Sequence, residues 1–590
     1  MRKKNKSDVS RRTFLKGAGA GALAAPILPA VLAGATVSAK ASPAPGFPMI
    51  QTGAGRKRNV LFIMSDDCCD RLGVYGKTAA GNPVSKTPNL ERFAKSAVRF
   101  DRAYCQYAWC SPSRSSLMTG YAPDTTKIYD LTSHFREALP DVLTLPQAFL
   151  KNDYFTARAG KIYHYGNPDQ IGCSGLDDPP SWNETANPAG VDHVKEEALL
   201  TVFPRPRAPG RPGFVRTRVD HGFGGTTLAG CTNGWPGDGS PDAAQVPGGG
   251  GWGGAIALHE SSSRQELHTD YLVADAAIAM LEKRRMQPDD PWFIGVGFYK
   301  PHVPWVVPSQ YFDMNPLKDV RATPFNPDEM QMAPRWAYNS MTPNHGMTEQ
   351  QCRQAIQAYY AAASFLDSNI GRVLDALQRL GLAENTTVVF CADHGWQLGE
   401  HGQWEKTTVF EAAARVPWMI GGAGVSAQGQ ACGRTVEHLD MYPTLVELCG
   451  LKGAPANLHG NSVVPLLSNP KAAWGRPAVS QIYRGAFRGA LNRPPARGGN
   501  TPPARANNRA ESMPPGGIMG YSLRTERYRY TFWKQGSEGE ELYDYQVDPR
   551  ELHNLAHDSG SAGLKAALRA SLEKICMERG MANAPGALQA

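Results

Sequence analysis

Two short apolar runs in this chain end directly in acidic residues, although they lie far apart in the sequence. Residues 59–64 lead through a serine into Asp66 and Asp67, and residues 386–392 lead into Asp393. Neither run alternates with polar residues, which is typical of a strand buried on both faces of a parallel sheet. Ligands bind at the carboxyl ends of the strands in such sheets. These runs therefore predict an α/β fold with a polar site at one edge of the sheet.

The rest of the chain alternates between strand and helix patterns. Further strands are predicted at 98–104, 154–160 and 291–299, a helix at 269–285, and one long helix or two between 351 and 380. This alternation predicts a large, doubly wound, mostly parallel sheet flanked by helices. After residue 520, short segments alternate like antiparallel strands and a helical pattern follows at 559–579. We therefore expect a smaller C-terminal α+β subdomain built on an antiparallel sheet.

These patterns divide the chain into a main domain at 59–475 and the C-terminal subdomain at 476–590. Residues 166–262 are rich in Pro and Gly and show little periodic hydrophobicity, so they are expected to form an irregular insertion in the main domain. Residues 484–517 are rich in Arg, Pro, Gly and Asn, which predicts a mobile loop in the subdomain.

The N-terminus has the composition of a targeting segment. Basic residues come first, Ser10–Lys16 (SRRTFLK) resembles the twin-arginine export motif, and a run rich in Ala, Leu and Gly follows. We interpret residues 1–41 as a twin-arginine signal peptide and 42–58 as a linker. A transmembrane anchor is the alternative, but the small residues and the cleavage-like end argue against a stable membrane anchor. The predicted location is periplasmic or secreted, and partnership with the twin-arginine export machinery is implied.

The bulk composition excludes one class of partner and draws attention to the cysteines. A net charge of +8 over 590 residues is modest, and outside the N-terminus a basic cluster occurs only at 484–509, so no nucleic-acid partner is expected. The chain has eleven cysteines, an odd number, so at least one is unpaired or modified. Cys173 and Cys231 lie in one loop-rich region and could pair.

Cys110 begins the segment CSPSRSSLMTG, which predicts an anion site beside a reactive side chain. Pro112 suits the first turn of a helix, so Cys110 is expected just ahead of a helix N-terminus. The free N–H groups and the helix dipole there favour an anion, and Arg114 adds a planar fork of donors that fits sulfate or phosphate. The alternative is an unmodified, buried cysteine at the start of a helix.

Other polar residues follow predicted strands and are expected at the same edge of the sheet. Lys161 and His164 follow the strand at 154–160, and His302 follows the strand at 291–299 between two prolines. The acidic pair Asp66 and Asp67 needs a cation, and oxygen ligands suit Ca²⁺ or Mg²⁺. The alternatives are a solvated acidic turn, a surface lysine and structural histidines.

The wording of several motifs resembles one protein family. CSPSR followed by SSLMTG is similar to the maturation motif of the type I, formylglycine-dependent sulfatases of the alkaline-phosphatase-like superfamily. NVLFIMSDD, GKIYH, KPH, ADHGW and LGEHGQWEK occur in the order expected of that family. The later motifs and the tail RTERYRYTFW with ELYD are most similar to the iduronate-2-sulfatase branch. Cys68-Cys69 after the two aspartates departs from the expected wording.

This resemblance implies a set of residue roles and partners. Cys110 would be oxidised to formylglycine (3-oxoalanine) by a formylglycine-generating maturation enzyme, and would then act as the nucleophile. The ligands of a calcium ion, with Mg²⁺ as the second choice, would be Asp66, Asp67, Cys110, Asp393 and His394. Arg114 would hold the hydrated form of residue 110 and screen its charge, and Lys161 and Lys406 would bind the sulfate oxygens. His164 would hydrogen-bond the nucleophile, and His302 would protonate the leaving oxygen or bind the sulfate.

The implied activity is hydrolysis of a sulfate ester on a sulfated saccharide, such as a glycosaminoglycan. A phosphomonoester or phosphonate hydrolase on the same fold is the first alternative, and a non-catalytic binder of sulfated glycan is the second. Trp396 could stack on a sugar ring or serve only as a packing residue. Histidine is an unusual ligand for a hard cation, so His394 is the least expected of the metal ligands.

Overall fold

The computed structural model of the protein describes residues 57–167, 171–172, 175–194, 201–203, 217–220, 226–229, 256–484 and 517–581. The predicted signal peptide, nearly all of the predicted linker, much of the insertion at 166–262 and most of the loop at 484–517 lie outside the described residues, as do Cys173 and Cys231. Among the described helices, none combines the length and the apolar composition needed to cross a membrane.

Nineteen strands are described. They are β1 Asn59–Asp66, β2 Ala97–Tyr104, β3 Phe155–Gly160, β4 Glu184–Ala186, β5 Thr201–Val202, β6 Thr217–Asp220, β7 Thr226–Ala229, β8 Ala257–Ser261, β9 Trp292–Pro301, β10 Trp305–Pro308, β11 Thr386–Ala392, β12 Gln397–Leu398, β13 Trp404–Glu405, β14 Arg415–Gly422, β15 Ala431–Glu437, β16 Ala478–Arg484, β17 Ile518–Arg524, β18 Tyr528–Trp533 and β19 Glu540–Asp544.

The described α-helices flank these strands. They are α1 Pro88–Ala94, α2 Cys110–Thr119, α3 Pro123–Thr126, α4 Leu145–Leu150, α5 Val191–Val194, α6 Thr269–Arg285, α7 Ser309–Met314, α8 Glu349–Arg379, α9 Glu411–Ala414, α10 Met441–Cys449, α11 Val464–Ser468 and α12 Ala562–Glu578. The predicted bounds of α6 are confirmed. The pattern at 351–380 forms one helix, α8, which begins with a capping box between Thr348 and Gln351.

The centre of the molecule is an eight-stranded sheet with the strand order β15-β2-β14-β11-β1-β9-β3-β4. Strand β1 pairs in parallel with β11 and β9, and β3 pairs in parallel with β9. Strand β14 runs antiparallel to both of its neighbours. All eight residues of β1 are buried, because helices cover both faces of the sheet. The prediction of a large, mostly parallel sheet flanked by helices is confirmed.

The C-terminal region contains the predicted antiparallel sheet, with the order β16-β17-β18-β19, and helix α12 packs against it. The backbone N–H of Gln481 in β16 donates to the carbonyl of Gln106, 2.8 Å away, which ties this sheet to the segment that follows β2. The predicted division at 475/476 falls between α11 and β16. The described parts of the predicted insertion contain five short strands, β4 to β8, and β4 forms one edge of the main sheet.

Candidate active site

The carboxyl ends of four neighbouring strands bring the predicted site residues together. In the register of the sheet, Ser65 in β1 lies beside Ala392 in β11, and Asp66 lies beside Pro301 at the end of β9. Gly160, the last residue of β3, lies beside Gly297 in β9. The residues that follow these positions are Asp67, Asp393, His302 and Lys161. Parallel pairing thus places all four at one edge of the sheet, as the sequence predicts.

Helix α2 carries Cys110 to this edge. The helix begins at Cys110 itself rather than just after it, and all ten of its residues are buried. The Cys110 Sγ atom lies 3.8 Å from Asp67 Oδ1 and 3.3 Å from His394 Nε2. Burial raises the pKa of the Cys110 thiol well above its ordinary value. The cysteine is therefore held as a neutral thiol within contact of the carboxylates predicted to bind metal.

Arg114, one turn along α2, joins three segments of the site. Its Nη2 donates to Asp66 Oδ1 and its Nε donates to Asp393 Oδ2, both at 3.0 Å. Its Nη1 donates to the backbone carbonyls of Lys161 and Ile162 at 2.7 and 3.0 Å. All three nitrogens thus bond the ends of β1, β11 and β3, which makes Arg114 a structural centre of the site. The role toward Cys110 that the resemblance implies for Arg114 stays a prediction.

Two groups of side chains could hold a cation. The candidate ligand atoms of each group lie within 4.8 Å of one another, and the groups are Asp67, Cys110, Asp393 and His394, and Asp66, Cys110 and His302. Asp67 Oδ2 is buried and has no hydrogen-bond partner among the described residues. Burying a carboxylate oxygen that accepts no hydrogen bond costs free energy, and a cation bound to that oxygen would offset the cost. The residues present therefore fit a hard divalent cation.

The charges of the three carboxylates differ in how well the protein compensates them. Burial raises the pKa of Asp66, but Lys161 and Arg114 outweigh burial and hold that pKa well below its ordinary value. Burial raises the pKa of Asp67 well above its ordinary value despite Lys406, and it raises the pKa of Asp393 to about 6. The neighbouring cations therefore do not fully compensate the negative charges of Asp67 and Asp393, and a bound cation would stabilise both carboxylates.

Two lysines reach into the site, each against one carboxylate. Lys161 Nζ donates to Asp66 Oδ2 at 2.6 Å. Lys406 Nζ donates to Asp67 Oδ1 at 2.6 Å and lies 3.2 Å from Cys110 Sγ. Both side chains are buried, and the Lys406 ammonium also lies over the ring of Trp396. The role on the sulfate oxygens that the resemblance implies for both lysines stays a prediction.

The histidines are neutral and oriented by the backbone. His394 Nδ1 donates to the carbonyl of Gly395 at 2.8 Å, which leaves the Nε2 lone pair facing Cys110 Sγ. This is the tautomer that a metal ligand needs. His302 Nδ1 donates to the carbonyl of Val303, and its Nε2 lies 3.5 Å from Asp67 Oδ2. Burial lowers the pKa of both imidazoles well below the ordinary value.

His164 is also brought to this edge, but less tightly. It is 5% exposed, its Nδ1 has no hydrogen-bond partner among the described residues, and burial lowers its pKa well below the ordinary value. A neutral imidazole whose Nδ1 is free to form a hydrogen bond fits the predicted contact with the nucleophile. That contact itself stays a prediction.

Comparison with known proteins agrees with this arrangement. A sequence profile of the family described as "Sulfatase" matches residues 58–451, which is more than half of the chain. The chain belongs to the sulfatase family. It is 30% identical over 580 residues to the iduronate 2-sulfatase of Mus musculus, across 87% of this sulfatase and 93% of that relative. The resemblance stated from the motifs is confirmed, and this sulfatase is a sulfuric ester hydrolase.

Solved structures agree on the fold. A protein solved in complex with its substrate D-glucosamine-2-N,6-O-disulfate has a TM-score of 0.59 and 19% identity, with coverage of 89% of this sulfatase and 98% of that chain. The crystal structure of the phosphonate monoester hydrolase of Agrobacterium radiobacter has a TM-score of 0.63 and 19% identity, with coverage of 89% and 96%. At such identities the likeness shows a common fold and leaves the substrate open.

The structure adds site residues that the motifs did not reveal. Tyr359, in the middle of α8, donates its hydroxyl to the carbonyl of Asp67 at 2.9 Å and accepts the backbone N–H of Cys69 at 2.8 Å. Asp67 has a left-handed backbone conformation, with φ 62°, which a non-glycine residue adopts only under such constraint. No sequence signal marks Tyr359, because its pattern is that of any buried helical tyrosine.

The structure places three residues that the sequence left open. Cys68 and Cys69 are 0% and 1% exposed, so both are core residues behind the acidic turn. Trp396 is 1% exposed, and its ring lies 6.3 Å from the ring of Trp305 in an edge-to-face arrangement. The Lys406 Nζ atom lies 5.4 Å from the centroid of the same ring, so Trp396 packs against a residue of the site. Stacking of Trp396 on a sugar ring stays a prediction.

Proposed function

We propose that this sulfatase removes sulfate from a sulfated saccharide and that Cys110 is converted to formylglycine for this reaction. The observation that supports the proposal is the convergence, in one buried cluster, of the Cys110 side chain with three carboxylates and three cationic side chains. The carboxylates are Asp66, Asp67 and Asp393, and the cationic side chains are Arg114, Lys161 and Lys406. As a hydrate, formylglycine would supply one hydroxyl to attack sulfur and a second to expel the sulfate.

A divalent cation, proposed to be Ca²⁺ with Mg²⁺ as the second choice, belongs to this reaction. The residues that would hold it are Asp66, Asp67, Asp393, His394 and position 110. When bound, the cation would supply positive charge that polarises the sulfate oxygens and favours ionisation of the attacking hydroxyl. The unpartnered Asp67 Oδ2 and the tautomer of His394 support this assignment.

Charge balance supports an anionic ester as the substrate. The three carboxylates and three cationic side chains offset one another, so a bound divalent cation leaves an excess of two positive charges in a buried site. A sulfate ester carries one negative charge, and attack at sulfur concentrates charge on its non-bridging oxygens. Lys161 and Lys406 are proposed to bind those oxygens, because preorganised positive charge is usually the largest catalytic contribution.

The two remaining histidines are proposed to act on the oxygens that enter and leave. His302 presents Nε2 to the site. For this step His302 would act as the imidazolium, the form that a bound anionic substrate favours, with Nδ1–H still on the Val303 carbonyl. Its Nε2–H would then protonate the leaving alcohol oxygen or donate a hydrogen bond to the sulfate. General acid assistance of this kind is worth roughly 10²- to 10⁴-fold in rate. His164 would hydrogen-bond the nucleophile through its unpartnered Nδ1 or its Nε2. Both imidazoles are fixed by burial, so they need little reorganisation.

The proposed substrate class is a sulfated saccharide, supported by the similarity to a relative named iduronate 2-sulfatase across most of both chains. A phosphonate monoester hydrolase shares the fold, so a preference for phosphorus esters is the alternative that an assay must exclude.

We expect peptide mass spectrometry of the exported protein to find the aldehyde at Cys110. The peptide that contains Cys391, a buried thiol in strand β11, is an internal control and should keep its thiol mass. The same preparation should hydrolyse an aryl sulfate faster than the matching aryl phosphate. If the aldehyde is found but the aryl phosphate is hydrolysed faster than the aryl sulfate, the phosphohydrolase alternative is supported. If Cys110 keeps its thiol and neither ester is hydrolysed, the proposal is contradicted. An aldehyde in the exported fraction would also fit maturation before twin-arginine export.

We expect chelation of divalent cations with EDTA to remove activity and to lower the melting temperature, since Asp67 and Asp393 lose the charge that compensates them. Added Ca²⁺ should restore both quantities, and Mg²⁺ should restore them less well. In Asp67→Asn, which keeps the size of the side chain, the melting temperature should no longer respond to Ca²⁺. An unchanged response in that variant would show that the cation binds elsewhere.

A further inference from the structure

The backbone on either side of Lys406 has an unusual conformation. Glu405 has φ 69° and Thr407 has φ 67°, so Lys406 lies between two residues in the left-handed region, and neither is glycine. Non-glycine residues persist in this region only where the surrounding structure over-determines them. Contacts outside this short segment must therefore hold the lysine in place.

One such contact is the side chain of Asn339, which lies far from Lys406 in the sequence. The Asn339 Nδ2 group donates to the carbonyl of Trp404 at 2.8 Å and to the carbonyl of Lys406 at 2.7 Å. The two bonds span Glu405, the first of the left-handed residues. On the other side, the N–H of Thr407 donates to the carbonyl of Ala108 at 2.9 Å, two residues before Cys110. Lys406 is thus fixed between Asn339 and the segment that leads into α2.

Asn339 is itself held by the segment it supports. The backbone N–H groups of Asn339 and Ser340 donate to Gln403 Oε1 at 2.9 and 3.0 Å, and Gln403 Nε2 donates to the carbonyl of Ser340 at 3.0 Å. Trp404 Nε1 donates to Asn344 Oδ1 at 3.0 Å. These reciprocal bonds make residues 339–344 and 403–406 one interlocked unit, with the Asn339 amide nearest to Lys406.

From this geometry we infer that Asn339 is a positioning residue, which sets the Lys406 ammonium against Asp67 and the side chain at position 110. The inference rests on the proposed role of Lys406 in binding the sulfate oxygens. The Lys406 Nζ distances, 2.6 Å to Asp67 Oδ1 and 3.2 Å to Cys110 Sγ, depend on the backbone that Asn339 holds. A single amide nitrogen with two hydrogens is suited to bridge two carbonyls on either side of one residue.

The test compares Asn339→Ala with a matched control, Asn152→Ala, in the full-length matured protein. The Asn152 amide also donates to two carbonyls, those of Ala148 and Lys452, at 2.8 and 3.0 Å, but it precedes β3 and so lies at the opposite end of that strand from the site. We expect kcat/KM for an aryl sulfate to fall on the order of 100-fold in Asn339→Ala, because small displacements of catalytic groups have effects of this size. Asn152→Ala should stay within about twofold of the wild type.

A double-mutant cycle with Lys406→Met separates positioning from general stability. If Asn339 acts through Lys406, adding Asn339→Ala to Lys406→Met should lower kcat/KM by no more than about twofold further. Additive losses, or an Asn339→Ala variant as active as Asn152→Ala, would overturn the inference while the proposed function stands. A fully active Lys406→Met would overturn the proposed role of Lys406 and, with it, the inference. If Asn339→Ala does not fold, Asn339→Ser, which keeps one donor, replaces it in the same comparison.

Discussion

Replacing Cys110 with Ala is expected to lower sulfate ester turnover by about 10⁴-fold or more, as loss of a covalent nucleophile does in other enzymes. The side chain at position 110 lies within 4 Å of Asp67, His394 and Lys406, and Ala places no nucleophilic atom there. The fold should survive, because Ala at the first position of α2 keeps the helix start and leaves only a small gap.

The control for this loss is Cys576→Ala, which removes another buried thiol, in helix α12, where no site residue lies. Its turnover should match the wild type. Initial rates on an aryl sulfate, together with melting temperatures for both variants, decide the result. Retained turnover in Cys110→Ala would show that the reaction does not pass through this residue.

Replacing Arg114 with Ala is expected to destabilise the folded protein by about 3–5 kcal/mol, the range for removing one partner of a buried ion pair. Arg114 and its two carboxylate partners, Asp66 and Asp393, are each no more than 1% exposed. Without the guanidinium, both carboxylates lose a buried hydrogen-bonded cation, and the carbonyls of Lys161 and Ile162 lose their donor. Arg114→Lys should also be destabilising, because an ammonium cannot reproduce the planar fork.

Urea unfolding at saturating Ca²⁺ measures this free energy. The control is Arg379→Ala, which breaks the ion pair between Arg379 and Glu282, whose side chains are 61% and 51% exposed. Exposed pairs contribute about 0–1 kcal/mol, so this control should unfold close to the wild type. If Arg114→Ala unfolds at the same urea concentration as Arg379→Ala, the site does not depend on Arg114 in the way the geometry indicates.

Much of the candidate site could be predicted from the sequence, because most of its residues follow a recognisable strand or lie in the first turns of a helix. Lys406 was named only through the family resemblance. The unbroken apolar runs before Asp66 and Asp393 identified buried parallel strands, and the proline two positions after Cys110 marked the start of α2. Parallel strands in one sheet end at one edge, so local patterns were sufficient to place these residues together. The strand order, and the antiparallel direction of β14 within the sheet, could not be predicted because they depend on contacts between distant segments.

The sequence by itself determined which residues meet at the carboxyl edge of the sheet and which chemistry they can perform, since residue type and strand position are local properties. Only the tertiary structure decided how those residues are held. It directed the Arg114 nitrogens to Asp66, Asp393 and the end of β3, although the sequence pointed to an anion ligand. It also placed Tyr359 behind Asp67 and Asn339 behind Lys406. The reason is physical: hydrogen bonds between residues far apart in the chain depend on how the segments pack, and a single segment carries no record of that packing.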